Sequence, residues 1–100
     1  MILYNVTVKI ELDANDEWVQ WMKAEHIPDV LKTGLFVDNR FCRLLSVPED
    51  DGITYSIQYV LKDMATYEKY QSEFAPALQK ETQEKFKDKF VSFRTIMEIL

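Results

Sequence analysis

The sequence predicts a single α+β domain of the ferredoxin-like type, in which a four-stranded antiparallel sheet carries its helices on one face. Three observations lead to this fold. The chain has 100 residues, which suits one domain. Two of its segments alternate apolar and polar residues as half-buried strands do. Stretches with helical spacing separate the strands in the order β-α-β-β-α-β, the split βαβ arrangement. We therefore treat residues 1–100 as one domain.

The first and third predicted strands show the clearest alternation. Residues 2–12, ILYNVTVKIEL, and residues 53–61, ITYSIQYVL, place an apolar side chain at every second position. Right-handed crossovers put these two strands at the centre of the sheet. Their apolar sets would face the helices. The opposite face would gather short polar side chains together with Leu3 and Val60: Asn5, Thr7, Ser56 and Gln58.

The second and fourth strands are predicted at residues 35–47 and 89–100. The former, LFVDNRFCRLLSV, is rich in strand formers but lacks clean alternation, which indicates a bulge or burial on both faces and leaves its face assignment open. Turn residues 48–52, PEDDG, join it to the third strand as a hairpin. At about 3.3 Å per residue, both strands would reach roughly 40 Å. Strands that overhang so small a domain favour pairing between two copies.

The first helix is predicted to begin after the caps and acids of residues 13–16. Trp18, Met22 and His26 follow at a spacing of four, so one helix face turns inward. Pro28 lacks an N–H group and disfavours helical conformation in the residue before it. We therefore expect the helix to break or bend near His26.

The second helical region is predicted to begin at Asp63, whose carboxylate caps the first turn. Pro76 interrupts it and opens a further segment that runs to about Lys89. Lys, Glu and Gln dominate this last segment, which is typical of a solvated helix face.

Composition narrows the set of partners. The net charge is −5, with basic residues interspersed among acidic ones, so neither nucleic acid nor an anionic membrane is an expected partner. No apolar run reaches the roughly 18 to 20 residues that span a bilayer, and no leader pattern is evident, so we expect a cytoplasmic protein. The single cysteine, Cys42, cannot form an internal disulfide.

The residue types also argue against a metal site or a cofactor. One histidine and one cysteine provide no zinc-type ligand set within a chain, although two copies of His26 with carboxylates across a dimer stay open. Only Gly34 and Gly52 are present, so no glycine-rich loop can cradle a nucleotide phosphate. We expect no metal and no cofactor.

Residues 18–36, WVQWMKAEHIPDVLKTGLF, carry a resemblance to a known superfamily. The HIPDV motif followed by TGLF, the element order and the length near one hundred resemble the dimeric α/β-barrel superfamily, and within it a bacterial family of unknown function. The resemblance covers essentially the whole chain and implies a homodimer. In that superfamily, a histidine near the end of the first helix, followed by a proline and an acid, recurs in sugar mutarotases and in several cofactor-independent oxygenases and dehydratase-like enzymes. His26, Pro28 and Asp29 match this local pattern.

The candidate catalytic residues are His26 and Asp29. His26 is either a general acid or base, since imidazole titrates near neutral pH, or a helix-end residue whose cation the helix dipole favours. Asp29 either orients His26 or caps the turn after Pro28. Strand arginines can bind a carboxylate or phosphate through two parallel hydrogen bonds, or can simply pair with one of the chain's acids. The candidate ligand-binding residues are Asn5, Thr7, Arg40, Ser56, Gln58 and Arg94.

Two functional hypotheses follow. The first, which we favour because a fold alone does not confer activity, is a homodimeric module that binds a small organic molecule between its two sheets or serves as an interaction module. The second is a cofactor-independent enzyme of isomerase, mutarotase or oxygenase type with His26 as the proton carrier. The second hypothesis requires His26 to face the same cavity as the polar face of the sheet.

Overall fold

A computed structural model describes residues 1–100 and contains the predicted order of elements. The four strands form one antiparallel sheet in the order β2-β3-β1-β4, so the first and third strands are central, as predicted. The strands are β1 (Ile2–Ile10), β2 (Phe36–Arg43), β3 (Ile53–Leu61) and β4 (Phe90–Glu98). The helical segments are a 3-10 turn (Leu12–Ala14), α1 (Asn15–Trp21), a π turn (Met22–His26), α2 (Ile27–Leu31), α3 (Met64–Glu73) and α4 (Ala75–Lys85). The ferredoxin-like α+β fold is confirmed.

The core lies between the helices and one face of the sheet. Burial alternates along the whole of β3, and the inward residues of β1 are buried in the same way except for Val6, which is partly buried. Trp18 of α1 is 1% exposed, and its ring lies 4.9 Å from that of Tyr55 and 5.6 Å from that of Phe41. Burying an apolar side chain of this size contributes roughly 1.5–3 kcal/mol. The apolar sets of the two central strands therefore hold the helices against the sheet, as their alternation predicts.

No helix covers the opposite face of the sheet, which we call the outer face. It carries the four short polar residues predicted there, and they are hydrogen-bonded to one another. The side-chain amide of Gln58 donates to Ser56 Oγ at 3.3 Å, the Ser56 hydroxyl donates to Asn5 Oδ1 at 2.6 Å, and the Asn5 amide donates to Thr7 Oγ1 at 3.0 Å. This chain of bonds satisfies the polar groups within the protomer.

Strand β4 adds an apolar strip to the outer face. Phe93 lies opposite Thr7 and Met97 lies opposite Leu3, so both point to the outer side of the sheet. Phe93 is 63% exposed, and Val91 beside it is 68% exposed. The outer face therefore combines a polar centre with an apolar edge.

Strand β2 contains the bulge that its sequence predicts. The register with β3 shifts between Phe36 and Asp38, which leaves Val37 unpaired and 59% exposed. Past the bulge, Phe41 faces the helices, and Arg40 and the exposed Cys42 lie on the outer face. The face assignment left open by the sequence is thereby settled.

The overhang expected of β2 and β4 is wrong. The two strands have eight and nine residues, because β2 ends at Arg43 and β4 at Glu98. Beyond β2 the chain enters the hairpin loop, within which the Arg43 guanidinium donates to both carboxylate oxygens of Glu49, at 2.9 and 2.6 Å. The pairing of two copies therefore cannot be argued from strand length.

The first helix is irregular at His26, where the expected break or bend takes the form of a π turn between α1 and α2. Its residues stay helical through Leu31 because the helix widens by one residue, and the Ile27 N–H donates to the carbonyl of Met22 in an i to i+5 bond. Pro28 has no N–H to offer to the previous turn, and its ring would crowd the carbonyl there in a regular α-helix. A π turn is a known way of absorbing such a conflict inside a helix. Gly34 then adopts a φ of 77°, the predicted left-handed cap.

Gly52, at the end of the hairpin loop, has no room for a side chain. A Cβ there would lie 2.9 Å from the carbonyl oxygen of Ile10 and 3.0 Å from Cε of Lys9. We expect Gly52→Ala to lower the free energy of unfolding by about 1–3 kcal/mol, the usual cost of overpacking. Urea unfolding would measure the loss, with Ser46→Ala in the same exposed loop as the control. Equal midpoints for the two variants would contradict the prediction.

Candidate functional site

One cavity lies between the sheet and the helices, and we call it the helix-side cavity. It has a volume of about 270 Å³ and is bordered by β1, β3 and β4 on one side and by the first helical region and α4 on the other. Its walls combine aliphatic and aromatic side chains with polar side chains, which on α4 are Gln79, Lys80, Thr82 and Gln83. The polar side chains that approach it from the sheet and the π turn are Tyr4, His26, Tyr59, Ser92 and Arg94, together with Tyr70 of α3.

His26, the last residue of the π turn, lines the helix-side cavity. Its ring stacks on Trp21, with centroids 5.0 Å apart and 28° between the planes. Its Nδ1 is buried and has no hydrogen-bond partner. Burial lowers the pKa of His26 to about 4; the nearby Asp29 carboxylate opposes this shift and the Arg94 charge adds to it. The imidazole is therefore neutral at pH 7, and it keeps one ring nitrogen as an acceptor and the other as a donor.

Arg94 reaches the same cavity from β4. The register places it opposite Val6 of β1, on the helix-facing side of the sheet. Its Nε donates to the hydroxyl of Tyr4 at 3.0 Å, which fixes the orientation of the guanidinium. Arg94 takes part in none of the ion pairs of the chain. Its remaining N–H donors are therefore free to bind an anion or a carbonyl oxygen.

Three tyrosines form one wall of the cavity. The Tyr4 ring lies 6.0 Å from Tyr59 and 6.0 Å from Tyr70, measured between centroids. The Tyr59 hydroxyl is buried and has no hydrogen-bond partner. Burial raises the pKa of Tyr59 and of Tyr70 well above the usual value, and the neighbouring tyrosines add to the shift. Both hydroxyls therefore stay protonated at physiological pH and can donate.

The predicted site residues divide between the two faces of the sheet. His26 and Arg94 line the helix-side cavity, whereas Asn5, Thr7 and Ser56 lie on the outer face. The second hypothesis required His26 to share a cavity with the polar face of the sheet, and this requirement is not met. Strand alternation turns the polar set away from the helices, and His26 belongs to a helix.

Asp29 is the second predicted catalytic residue, and it lies in α2 beside the cavity rather than in its lining. Its carboxylate is 3.9 Å from the amine of Lys32, and it makes no hydrogen bond to His26. Its influence on His26 is electrostatic, since its charge raises the pKa of the imidazole.

A second cavity of about 370 Å³ opens on the outer face, near the starts of β1 and β2. Arg40 and Gln58, both predicted to bind a ligand, belong to its lining. Unlike the helix-side cavity, it contains no buried polar atom that lacks a partner.

Reasoning from the sequence missed the tyrosine wall and the helix-side position of the cavity. The tyrosines sit on the apolar faces of their elements, so the core accounts for them by periodicity alone. A usable signal did exist. Tyr4 and Tyr59 are directly paired across β1 and β3. Two neighbouring buried hydroxyls need hydrogen-bond partners that an apolar core does not provide.

Two further classes of site are absent. No group of three or more His, Cys, Asp or Glu residues is arranged to hold a metal ion. None of the helices has both the length and the apolar character that crossing a bilayer requires.

The fold places the protein among the ferredoxin-like α+β proteins, a class that has dimeric members. Across its full length the chain is similar to a dimeric ferredoxin-like protein from an uncultured marine organism, with a TM-score of 0.71, 11% identity and 95% of that chain covered. It is likewise similar to an antibiotic biosynthesis monooxygenase, with a TM-score of 0.68, 13% identity and 99% of that chain covered. A variant of MhuD with two manganese protoporphyrin IX molecules bound per active site has a TM-score of 0.71 at 11% identity, with 100% of this chain and 95% of that chain covered.

The family model assigns the chain more narrowly. Residues 1–100 match the family described as a domain of unknown function, DUF4286, and the protein belongs to that family. No curated protein matches the chain in sequence.

Proposed function

We propose that each protomer binds a small organic molecule in the helix-side cavity. The observation that carries this proposal is the convergence of two buried polar atoms without partners and one guanidinium without an acidic partner on a single cavity. His26 Nδ1 and the Tyr59 hydroxyl are buried without partners, and Arg94 has no carboxylate partner. A buried polar group without a hydrogen bond costs about 1–3 kcal/mol, and a ligand that supplies the bond removes that cost.

The size of the cavity limits the ligand. Its volume of about 270 Å³ lies just below the range of roughly 300–1,000 Å³ typical of pockets for drug-sized molecules. A compact molecule with a flat face that packs against aromatic side chains fits this space. The neighbour that carries manganese protoporphyrin supports the idea that this fold accommodates planar ligands.

We further propose that the protein is a homodimer in which two outer faces pack together. The exposed apolar strip of β4, Val91, Phe93 and Met97, supports this assembly because such a strip is costly to leave in water. A structural neighbour of the whole chain is described as dimeric. Such packing would also enclose the second cavity, the place where a ligand between two sheets would lie. We favour the helix-side cavity over the second cavity because only the helix-side cavity contains buried polar atoms without hydrogen-bond partners.

Proton transfer by His26 is the second candidate function, with the helix-side cavity in place of the polar sheet face as its site. A neutral imidazole beside a fixed guanidinium can accept a proton from a bound molecule while the cation stabilises the anion that remains. The unpartnered Nδ1 favours this function, since no group of the protein occupies the position from which a proton would come. A measurable signature is deuterium incorporation into the methylene group of phenylpyruvate, faster with the protein than without it and lost in His26→Gln.

Ligand binding can be tested by protein-observed NMR with a library of small aromatic compounds. Binding in the helix-side cavity is expected to shift the signals of His26, Tyr59 and Arg94 and to leave those of Arg40 and Gln58 unchanged. His26 is the only histidine, so its imidazole signals need no assignment by mutation. Shifts confined to Arg40 and Gln58, or no shifts at millimolar concentrations, would contradict the proposal.

A further inference from the structure

The helix-side cavity has the opposite charge to the chain as a whole. The protein carries 17 acidic and 12 basic residues, with a net charge of −5. No Asp or Glu lines the cavity, and its two ionised residues are Lys80 of α4 and Arg94 of β4. The Lys80 amine is mostly exposed and lies 3.8 Å from the Glu84 carboxylate, whereas Arg94 has no acidic partner and is the unpaired charge of the cavity. The cavity therefore selects for negative charge.

The geometry of Arg94 favours a particular kind of anion. Tyr4 engages Nε, so the two terminal nitrogens of the guanidinium stay available at the edge of the cavity. A guanidinium presents planar donors that match a carboxylate or a sulfonate, and these charge-assisted hydrogen bonds are stronger than neutral ones.

The rest of the lining favours a flat apolar body. Trp18, Tyr4 and Tyr59 present aromatic surfaces to the cavity, and Phe90 joins them from β4. Aromatic rings pack best against other rings in offset or edge-to-face contact. A ring attached directly to the anionic group would lie against these surfaces while its charge reached Arg94.

We propose that the ligand of the helix-side cavity is a planar organic anion whose acidic group binds Arg94, and that His26 takes up a proton when this anion binds. This inference rests on the proposed function of the cavity and specifies its ligand class. Proton uptake follows from the charges that face His26. Arg94 of β4 opposes protonation of the imidazole and Asp29 of α2 favours it, while the Lys80 amine of α4 is exposed and lies 3.8 Å from the Glu84 carboxylate. An anion on Arg94 offsets the opposing charge and adds an attractive one, so the pKa of His26 rises in the complex.

Proton uptake makes binding depend on pH in a defined direction. The pKa of His26 is higher in the complex than in the free protein. Affinity for the anion therefore increases as pH falls below the pKa of the complex. The affinity levels off below the pKa of the free protein, about 4. An aromatic sulfonate is the suitable probe, because it stays ionised across this range whereas a carboxylate does not.

The test compares naphthalene-2-sulfonate with its neutral counterpart, naphthalene-2-sulfonamide, by NMR titration. At pH 7 the sulfonate is expected to bind about tenfold more tightly, a difference of about 1.4 kcal/mol, because a hydrogen bond to a charged oxygen is stronger than one to a neutral oxygen. Arg94→Gln should remove this preference, and Arg94→Lys should keep part of it. Arg40→Gln is the matched control, because it removes the same charge from the outer face of the same sheet and should leave the preference unchanged.

The pH series uses the sulfonate alone between pH 7.5 and 4.5. Affinity is expected to rise severalfold toward acid in the unchanged protein and to stay flat in His26→Gln, with a matching shift of the imidazole signals on binding. Flat affinity in the unchanged protein would overturn the proton-uptake part.

The outcomes separate the two proposals. Equal binding of both compounds in the cavity would overturn the anion class and leave the proposed function standing. No signal change at the cavity with either compound would overturn both. A sulfonate preference lost in Arg40→Gln rather than in Arg94→Gln would place the anion on the outer face and would also overturn both.

Discussion

The Phe93→Asp variant is expected to sediment as a monomer at concentrations at which the unchanged protein is a dimer. Phe93 is 63% exposed in the protomer and lies in the apolar strip of the outer face. Removing a central aromatic side chain from an interface commonly costs at least about 2 kcal/mol. A two-fold interface contains the position twice, so the dissociation constant should rise by roughly a thousandfold.

The control for this experiment is Met64→Asp, which places the same charge at an exposed apolar position in the helix layer. It should leave the association unchanged. Because Phe93 contributes little to the core of the protomer, both variants should unfold at similar urea concentrations when compared as monomers. A stable monomer in the unchanged protein at micromolar concentration would refute the proposed dimer directly.

Stability should fall as pH is lowered from 6.5 to 4, by at most about 3 kcal/mol from His26 alone. The pKa of His26 is about 4 in the folded chain against an ordinary value of 6.5. Between these values the unfolded chain binds the proton and the folded chain does not, so acid favours unfolding. Each unit of pKa difference corresponds to about 1.4 kcal/mol. Part of the ring reaches solvent, which makes the figure an upper bound.

His26→Gln isolates this contribution, since glutamine is polar and does not titrate. Its unfolding free energy, measured by urea titration at a series of pH values, should be nearly constant between pH 6.5 and 4.5. Carboxylates such as Asp63 and Asp51, whose pKa values are lowered by hydrogen bonds from Thr66 and Lys9, lose their contribution at more acidic pH and do so equally in both proteins. Parallel pH profiles for the two proteins would show that His26 titrates normally in the fold.

The sequence predicts the fold well because the central strands leave little freedom. A strict alternation over nine residues determines which face of the strand is buried, because a shift of the register by one residue would expose the entire apolar set. The edge strands are less constrained. In β4, apolar residues point to both sides, with Phe90 toward the helices and Val91 and Phe93 away from them. The face of Arg94 is therefore fixed by its pairing with Val6, which is a long-range contact.

The location of the cavity is not accessible to the same reasoning. A gap between a helix layer and a sheet depends on how far apart the helices sit, and that distance results from the summed volumes of many side chains. The sequence shows that His26 lies on the inward face of its helix, and that part of the prediction is confirmed. It does not show that the space in front of His26 is open. The polar residues of β1 and β3 instead indicated a site on the outer face, where they form hydrogen bonds with one another.

The π turn at Met22–His26 aligns four side chains that a uniform helix would disperse. Steps of four residues in a regular α-helix overshoot one turn by roughly 40° each, so Trp18, Met22, His26 and Val30 would spiral by about a third of a circle. The wider turn corrects this drift midway, which is why Val30 is 1% exposed and His26 still faces the interior. The direction of the imidazole therefore depends on the i to i+5 hydrogen bond of the π turn, which encloses one residue more than an α-helical turn does. A single-residue deletion within this turn would redirect the imidazole without altering any side chain that touches it.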